Sequence, residues 1–216
     1  MSRRTALAAI SPVATEQWGM ITAGQARRLG VSRQDLNRLV DDGTLAVADQ
    51  ATRVYRLTGA PEDPGLDPLR AAWLQLGGAQ SWHERTTAPN LVISHRSAAH
   101  LRGLGDLIPY DHEFYATTRL RPRRNDIKLR VRSQIAPDSW EIWGGLPTHT
   151  VSAIIDDLLS DGEDESAVAQ VVRDALALGL LRDEALNAIV APYAVAYGHT
   201  NADEFAQVLT GEGTLG

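Results

Sequence analysis

The chain has 216 residues, 44% hydrophobic and 22% charged, an ordinary globular composition with material for one large domain or two small ones; two are expected. It contains no cysteine, which excludes disulfides, thiolate metal sites and cysteine nucleophiles and makes a reducing, cytoplasmic setting the default. No apolar run approaches the roughly 20 residues that a membrane span needs, and the start MSRRTALAAISPVATEQWGM lacks a long apolar stretch followed by a cleavage site.

The net charge of −6 hides a gradient. Residues 1–60 carry 8 basic and 5 acidic side chains, residues 61–150 carry 11 and 10, and residues 151–216 carry 2 and 12. A basic footprint for nucleic acid is a local property, and here it lies in the first two thirds of the chain.

Residues 3–18 read as a helix with Leu7, Ile10 and Trp18 as core contacts, and Pro12 is expected in a break or a first turn. Thr22 is a good N-cap for a short helix over 23–29, which Gly30 ends where a left-handed residue is needed. Ser32 caps a second helix, Asp35 completes a capping-box-like pair, and Leu36, Leu39 and Val40 form its apolar series before Gly43. Residues 44–59, TLAVADQATRVYRLTG, read as a small hairpin turning at Asp49 to Thr52. The stretch PEDPGLDP at 61–68 holds three prolines and a glycine and is the expected domain linker.

The second domain, 69–216, is expected to open with the helix LRAAWLQLGG and a polar, mobile loop from Gln80 to Asn90. A buried strand at 91–93 then leads into the helix SHRSAAHLRGLG, capped by Ser94. Strands at EFYATT and IKLRVR are joined by the basic turn RLRPRRND. After WGGLPTHT, with Trp140 and Trp143 as core or interface anchors, the pattern is helical: VSAIIDDLLS, ESAVAQVVRDALALGLL, RDEALNAIVAPYAVAYG and ADEFAQVL. The fold class expected is α+β: a winged helix-turn-helix over 1–60, then a mixed α/β domain with a helical C-terminal part.

Helix-turn-helix packing needs a small residue at the crossing, a glycine corner and inward apolar residues on the second helix, here Ala26, Gly30, Leu36 and Leu39. That placement leaves Arg33, Gln34, Asn37 and Arg38 outward near the helix start. These residue types have bidentate geometry for guanine and adenine edges. Arg27 and Arg28 on the first helix of the pair and Arg53 and Arg56 on the wing are candidate phosphate contacts. With Ser32 these residues make up the candidate DNA-binding set. The alternative is a winged helix that only packs or binds protein, and Asp35, Asp41 and Asp42 count against DNA if they face the duplex.

The run ITAGQARRLGVSRQDLNRLVDDGTL, then VYRLTG, AAWLQL, ISHRSAAHLRGLGDL and GLPTHTVSAIIDDLL, resembles the AbiEi-type antitoxin family of type IV toxin-antitoxin systems over about residues 6–160. The resemblance implies a winged-helix domain that binds repeats in its own operon's promoter, followed by a domain with antitoxin activity against a nucleotidyltransferase-like toxin encoded nearby. Where members carry a RRGVYRL-like wing strand, this chain reads ATRVYRL, with Arg53 alone before Val54.

Ser94, His95, Ser97, His100 and Asp106 invite a hydrolase or metal reading. His95 and His100 do not share a helix face, however, no glycine-flanked serine elbow is present, and Ser94 is explained as a cap. No catalytic residue, metal or cofactor is therefore expected. In Arg119, Arg121, Arg123, Arg124, Lys128, Arg130 and Arg132, seven bases fall within fourteen positions. They read either as a charged edge strand protected against pairing or as a contact for DNA backbone or an anionic partner. Three functions stay open: an antitoxin and autorepressor, an antitoxin that phosphorylates its toxin, and a plain regulator sensing a small anion.

Overall fold

A computed structural model describes residues 1–48, 51–122 and 124–211, the side chain of Asp183 excepted. The chain is α+β and divides into two compact units, residues 1–89 with 120–125, and residues 90–119 with 126–216. The proline-rich stretch at 61–68 therefore lies inside the first unit, and the chain passes to the second at Pro89 and Asn90. The expected linker is tied down by its acids: Asp67 Oδ2 pairs with Arg56 and accepts the Asp63 N–H at 2.7 Å, while Arg70 Nη1 lies 3.1 Å from Asp67 Oδ1.

In the first unit, helix α1 (Arg3–Glu16) continues through Pro12 instead of breaking there. Proline removes the bond to the carbonyl four residues back. Here Pro12 and Ala8 are both on the exposed side, so that carbonyl meets water. The buried face is Ala6, Ile10 and Ala14, with Leu7 half-buried. Trp18 is past the helix, at a positive φ of 58°, with its ring edge-on to Trp73. Strand β1 (Met20–Thr22), which the sequence pattern did not signal, precedes α2 (Ala23–Arg28) and α3 (Arg33–Asp41). Both helices carry reciprocal capping boxes: Ser32 with Asp35, as expected from the spacing, and Thr22 with Gln25, where the N-cap was expected but the return bond from Gln25 was not. Gly30, at φ 79°, makes the corner between them.

Strands β2 (Leu45–Val47) and β3 (Val54–Leu57) follow; of the expected turn, Asp49 and Gln50 lie outside the described residues. The antiparallel sheet has the order β1-β3-β2, with Tyr55 opposite Ile21 on one side and Val47 on the other. Ile10, Ile21, Ala26, Val31, Leu36, Leu39 and Leu45 form one buried cluster behind it. Helix α4 (Asp67–Gly77) packs on β1 and β3. The expected mobile loop at 80–90 instead contains α5 (Trp82–Thr87), because Ser81 and Glu84 supply a third capping box.

A buried amide pair holds this unit's helix pair in place. Gln17 and Gln25 donate to each other at 3.1 and 2.8 Å, Gln25 also donates to Gln80 O at 2.7 Å, and its Oε1 accepts the Thr22 N–H at 2.9 Å.

The second unit is a five-stranded mixed sheet of order β6-β5-β4-β8-β7. In chain order it comprises β4 (Leu91–Ile93), α6 (His95–Arg102), β5 (His112–Ala116), β6 (Ile127–Val131), β7 (Trp140–Trp143) and β8 (Leu146–His149). Strands β5 and β6 run parallel, Tyr115 opposite Arg130, so the basic turn expected to join them does not close a hairpin. The expected pre-helical stretch WGGLPTHT is part of a hairpin, β7 against β8, closed by Gly144 and Gly145 at φ 57° and 82°. Positive φ at both turn positions is what a two-residue hairpin of this hand requires. Helices α7 (Val151–Ser160), α8 (Glu165–Ala177), α9 (Asp183–Val190) and α10 (Ala202–Thr210) complete the unit; α9 ends before Ala191 rather than continuing to residue 198.

Replacing Gln25 with leucine is expected to leave the Thr22 N–H and the Gln80 carbonyl without their side-chain partner and the Gln17 amide with only the Met20 carbonyl and the Trp82 N–H. The cost should be about 1–3 kcal/mol in urea denaturation; an unchanged midpoint would contradict the role given to the pair.

Candidate nucleic-acid interface and polar cleft

The amphipathic series of α3 divides as its spacing predicts. Leu36 and Leu39 are 1% exposed, while Arg33, Gln34, Asn37 and Arg38 are exposed. The acid nearest this face is drawn into the cap, although its Oδ1 lies 3.5 Å from Arg38 Nη1 on that face. Asp35 is buried, its Oδ2 accepting the Ser32 N–H at 3.2 Å and the Ser32 hydroxyl at 2.6 Å. The Ser32 hydroxyl, foremost among its partners, holds the Asp35 carboxyl below the usual carboxylate range. Ser32 is thereby committed to the cap. Asp42 accepts from Arg3 at 2.7 Å and from the Thr44 N–H at 3.0 Å, so Asp41 is the acid left exposed on this helix with no ion pair among the described residues.

The flanking arginines have different fates. Arg27 is exposed, and Arg53 is exposed at φ 71°, at the base of the wing strand. Arg28 is occupied: it grips Glu84 in a two-point contact of 2.9 and 3.1 Å and donates to Ala79 O. That contact, with the Ser81 N–H, holds the Glu84 carboxyl down at about 2. Arg56, expected to meet phosphate, is only 8% exposed; it donates to the carbonyls of Trp18 and Pro61 and pairs with Asp67. Its alternation on β3 turns it inward, where Asp67 compensates its charge, so it is not available to a ligand.

The basic strand is likewise largely compensated. Lys128 Nζ stands 3.4 Å from Glu113 and 3.6 Å from Asp161, Arg130 pairs with the same two acids, and Arg132 donates to Tyr115 Oη at 2.7 Å. Arg119 and Arg121 are exposed, Arg124 is half-buried, and Arg123 lies outside the described residues. Arg119 belongs to the second unit, whereas Arg121 and Arg124 group with the first.

The residues dismissed as a hydrolase or metal set also separate. Asp106 and His100 are exposed; Ser97 Oγ donates to Asp111 O at 3.2 Å and accepts the Glu113 N–H at 3.0 Å. Ser94 sits at the N-cap of α6 but makes no side-chain cap bond, contrary to expectation; its hydroxyl is buried without a partner among the described residues. His95 is 1% exposed, at φ 52°, with its ring edge-on to Tyr115. It borders a cleft of about 290 Å³ whose walls include Arg96, Glu113, Lys128, Asp161 and Glu163. Asp157, Asp161 and Glu113 reach this point from α7, the turn after it and β5, a convergence that no sequence spacing announces.

Residues 9–49 match the family model described as transcriptional regulator, AbiEi antitoxin, the family already indicated by the motifs, over a segment shorter than 6–160. The match runs from within α1 to the end of β2 and takes in the whole of α3. No curated protein matches the chain. Among solved structures, the RV2827C protein from Mycobacterium tuberculosis is similar, with a TM-score of 0.55 and 16% identity over 97% of this chain and 78% of that one. At that identity the likeness is one of fold. Among the described residues no helix is long and apolar enough to cross a membrane.

Burial, the largest influence, lowers the pKa of His95 below its ordinary value of 6.5, outweighing the carboxylate of Asp157. The unfolded chain then binds a proton at this residue before the folded one does. Its contribution is full above the ordinary histidine range and is lost as pH falls through it. Urea denaturation at about pH 7.5 and 5.5 should show the wild type losing more stability on acidification than His95→Asn; equal losses would contradict the assignment.

Proposed function

We infer that the chain is a DNA-binding antitoxin that represses its own operon and counteracts a nucleotidyltransferase-like toxin encoded nearby. In this reading residues 1–57 form a winged helix, with α2 and α3 as its helix-turn-helix and β2–β3 as the wing. The observation that carries it is the outward face of α3. Four side chains suited to base edges stand exposed on a helix fixed by its cap and its apolar face, inside the segment that matches a regulator family. Arg27 and Arg53 act as phosphate contacts, whereas Arg28 must leave Glu84 to do so and Arg56 is excluded. The phosphorylating alternative and the anion-sensing one have less support, since Lys128 and Arg130 are already paired with Glu113 and Asp161.

Fluorescence anisotropy with duplex from upstream of the operon tests the reading. Arg33→Ala and Asn37→Ala should each weaken binding by about 1–3 kcal/mol and relax preference at one base position. Arg27→Ala should weaken all sequences alike and lower the salt slope by about one. Equal affinity for the upstream duplex and a scrambled one, unaffected by Arg33 or Asn37, would refute it. For the toxin half, co-expression of the full chain with the neighbouring nucleotidyltransferase-like protein should restore growth; continued arrest with the chain expressed and folded would refute that part alone.

A further inference from the structure

Within the first unit, the backbone from Gly78 to Glu84 lies along one side of α2. Thr22, Gln25 and Arg28, three residues apart and so on one helix face, donate to the carbonyls of Gly78, Gln80 and Ala79, the latter two at 2.7 and 2.9 Å. The two segments approach most closely at Gly24, where a β-carbon would come within 2.7 Å of Gly78 O and 2.9 Å of Ala79 Cα.

This contact brings a carboxylate to the helix pair. Glu84 Oε2 and Oε1 take Arg28 Nη1 and Nη2 at 2.9 and 3.1 Å, so both terminal nitrogens of the guanidinium are engaged. A phosphate would use the same two-point geometry on the same nitrogens, and the two anions therefore exclude each other. Glu84 is the fixed partner. Its Oε2 also accepts the Ser81 N–H at 2.6 Å, and the Trp82 N–H donates to Gln17 Oε1 at 3.1 Å. The next residue, Arg85, is 2% exposed, with its guanidinium 3.5 Å from the centre of the Trp73 ring and its Nη1 donating to Trp73 O at 2.6 Å. Arg28, with a side chain 55% exposed, is the partner that can swing away.

We propose that Glu84 is an internal competitor for the DNA backbone: it holds Arg28 away from phosphate and thereby limits the affinity of the helix pair for duplex. The proposal rests on the DNA-binding reading given above. The restraint is modest, because solvent and salt screen an exposed ion pair, and removing it should raise affinity by about two- to fivefold.

A double-mutant cycle on the full chain tests it, by anisotropy titration with the upstream duplex over a range of salt centred on about 0.15 M, where charges more than about 8 Å from phosphate are screened. Glu84→Gln removes the charge and keeps a side chain that can close the capping box of α5. It should bind about two- to fivefold more tightly than the wild type and steepen the salt slope by about one. With Arg28→Ala already in place, Glu84→Gln should change affinity by less than about twofold and leave the slope as it was. A gain that persists without Arg28 would reveal a general charge effect and overturn the proposal. Unchanged affinity and slope in Glu84→Gln, while Arg33→Ala still weakens binding, would overturn it and leave the DNA reading standing. Absence of preference for the upstream duplex in every variant, with Arg33→Ala without effect, would remove the DNA reading and the proposal with it.

Discussion

The disposition of Asp35 decides whether α3 can meet a polyanion. A carboxylate at the third position of a helix can stand out in solvent, where it repels phosphate, or fold back on the N-cap. Here the Ser32 hydroxyl and N–H take it, and Asp35 is 6% exposed. The same contact terminates the turn at Gly30 and starts the helix, and the negative charge sits where the helix dipole favours it. One interaction therefore orients the exposed arginine, glutamine and asparagine side chains and removes an acid from among them. Asp42 is similarly drawn off by Arg3 and Thr44.

Charge compensation of this kind recurs in both units and separates the arginines that are available from those that are not. Arg56 and Arg70 fasten the acidic residues 63 and 67, and Arg28 fastens Glu84. Arg85 is buried against the Trp73 ring at 3.5 Å and donates to Trp73 O, and burial brings its pKa down to about 9. In the second unit Glu113 and Asp161 neutralise the basic strand, and Arg102 spans His149 O, Glu141 and the Trp143 ring. What looks in sequence like a long cationic surface is mostly internal pairing, whereas Arg27, Arg33 and Arg53 of the first unit's helix pair and wing are exposed and Arg38 lies 3.5 Å from Asp35.

The first unit was legible because its signals are local. Thr22 as a cap, Ser32 with Asp35, Gly30 at the corner and Leu36 with Leu39 are features set within one or two helical turns, and each formed as its spacing implies. The sequence lost its hold where partners are distant. Nothing near Arg56 announced Asp67, and prolines at 61–68 suggested a linker although Arg56 and Arg70 hold that stretch. The short strand β1 depends on β3 some thirty residues on, and α5 was hidden by its polar composition despite its Ser81–Glu84 box. His95 was set aside because no neighbour in sequence shared its face; its neighbours in space, Asp157 and Asp161, come from beyond the sheet strands that follow it.

The central claim is that the α3 face, with the wing, is the surface that meets DNA. Amide hydrogen exchange of the full chain, with and without saturating duplex from upstream of the operon, tests it most directly. Protection should rise over residues 32–42 and 51–57 and stay unchanged over 127–132. Protection confined to 127–132, with residues 32–42 unaffected, would contradict the account.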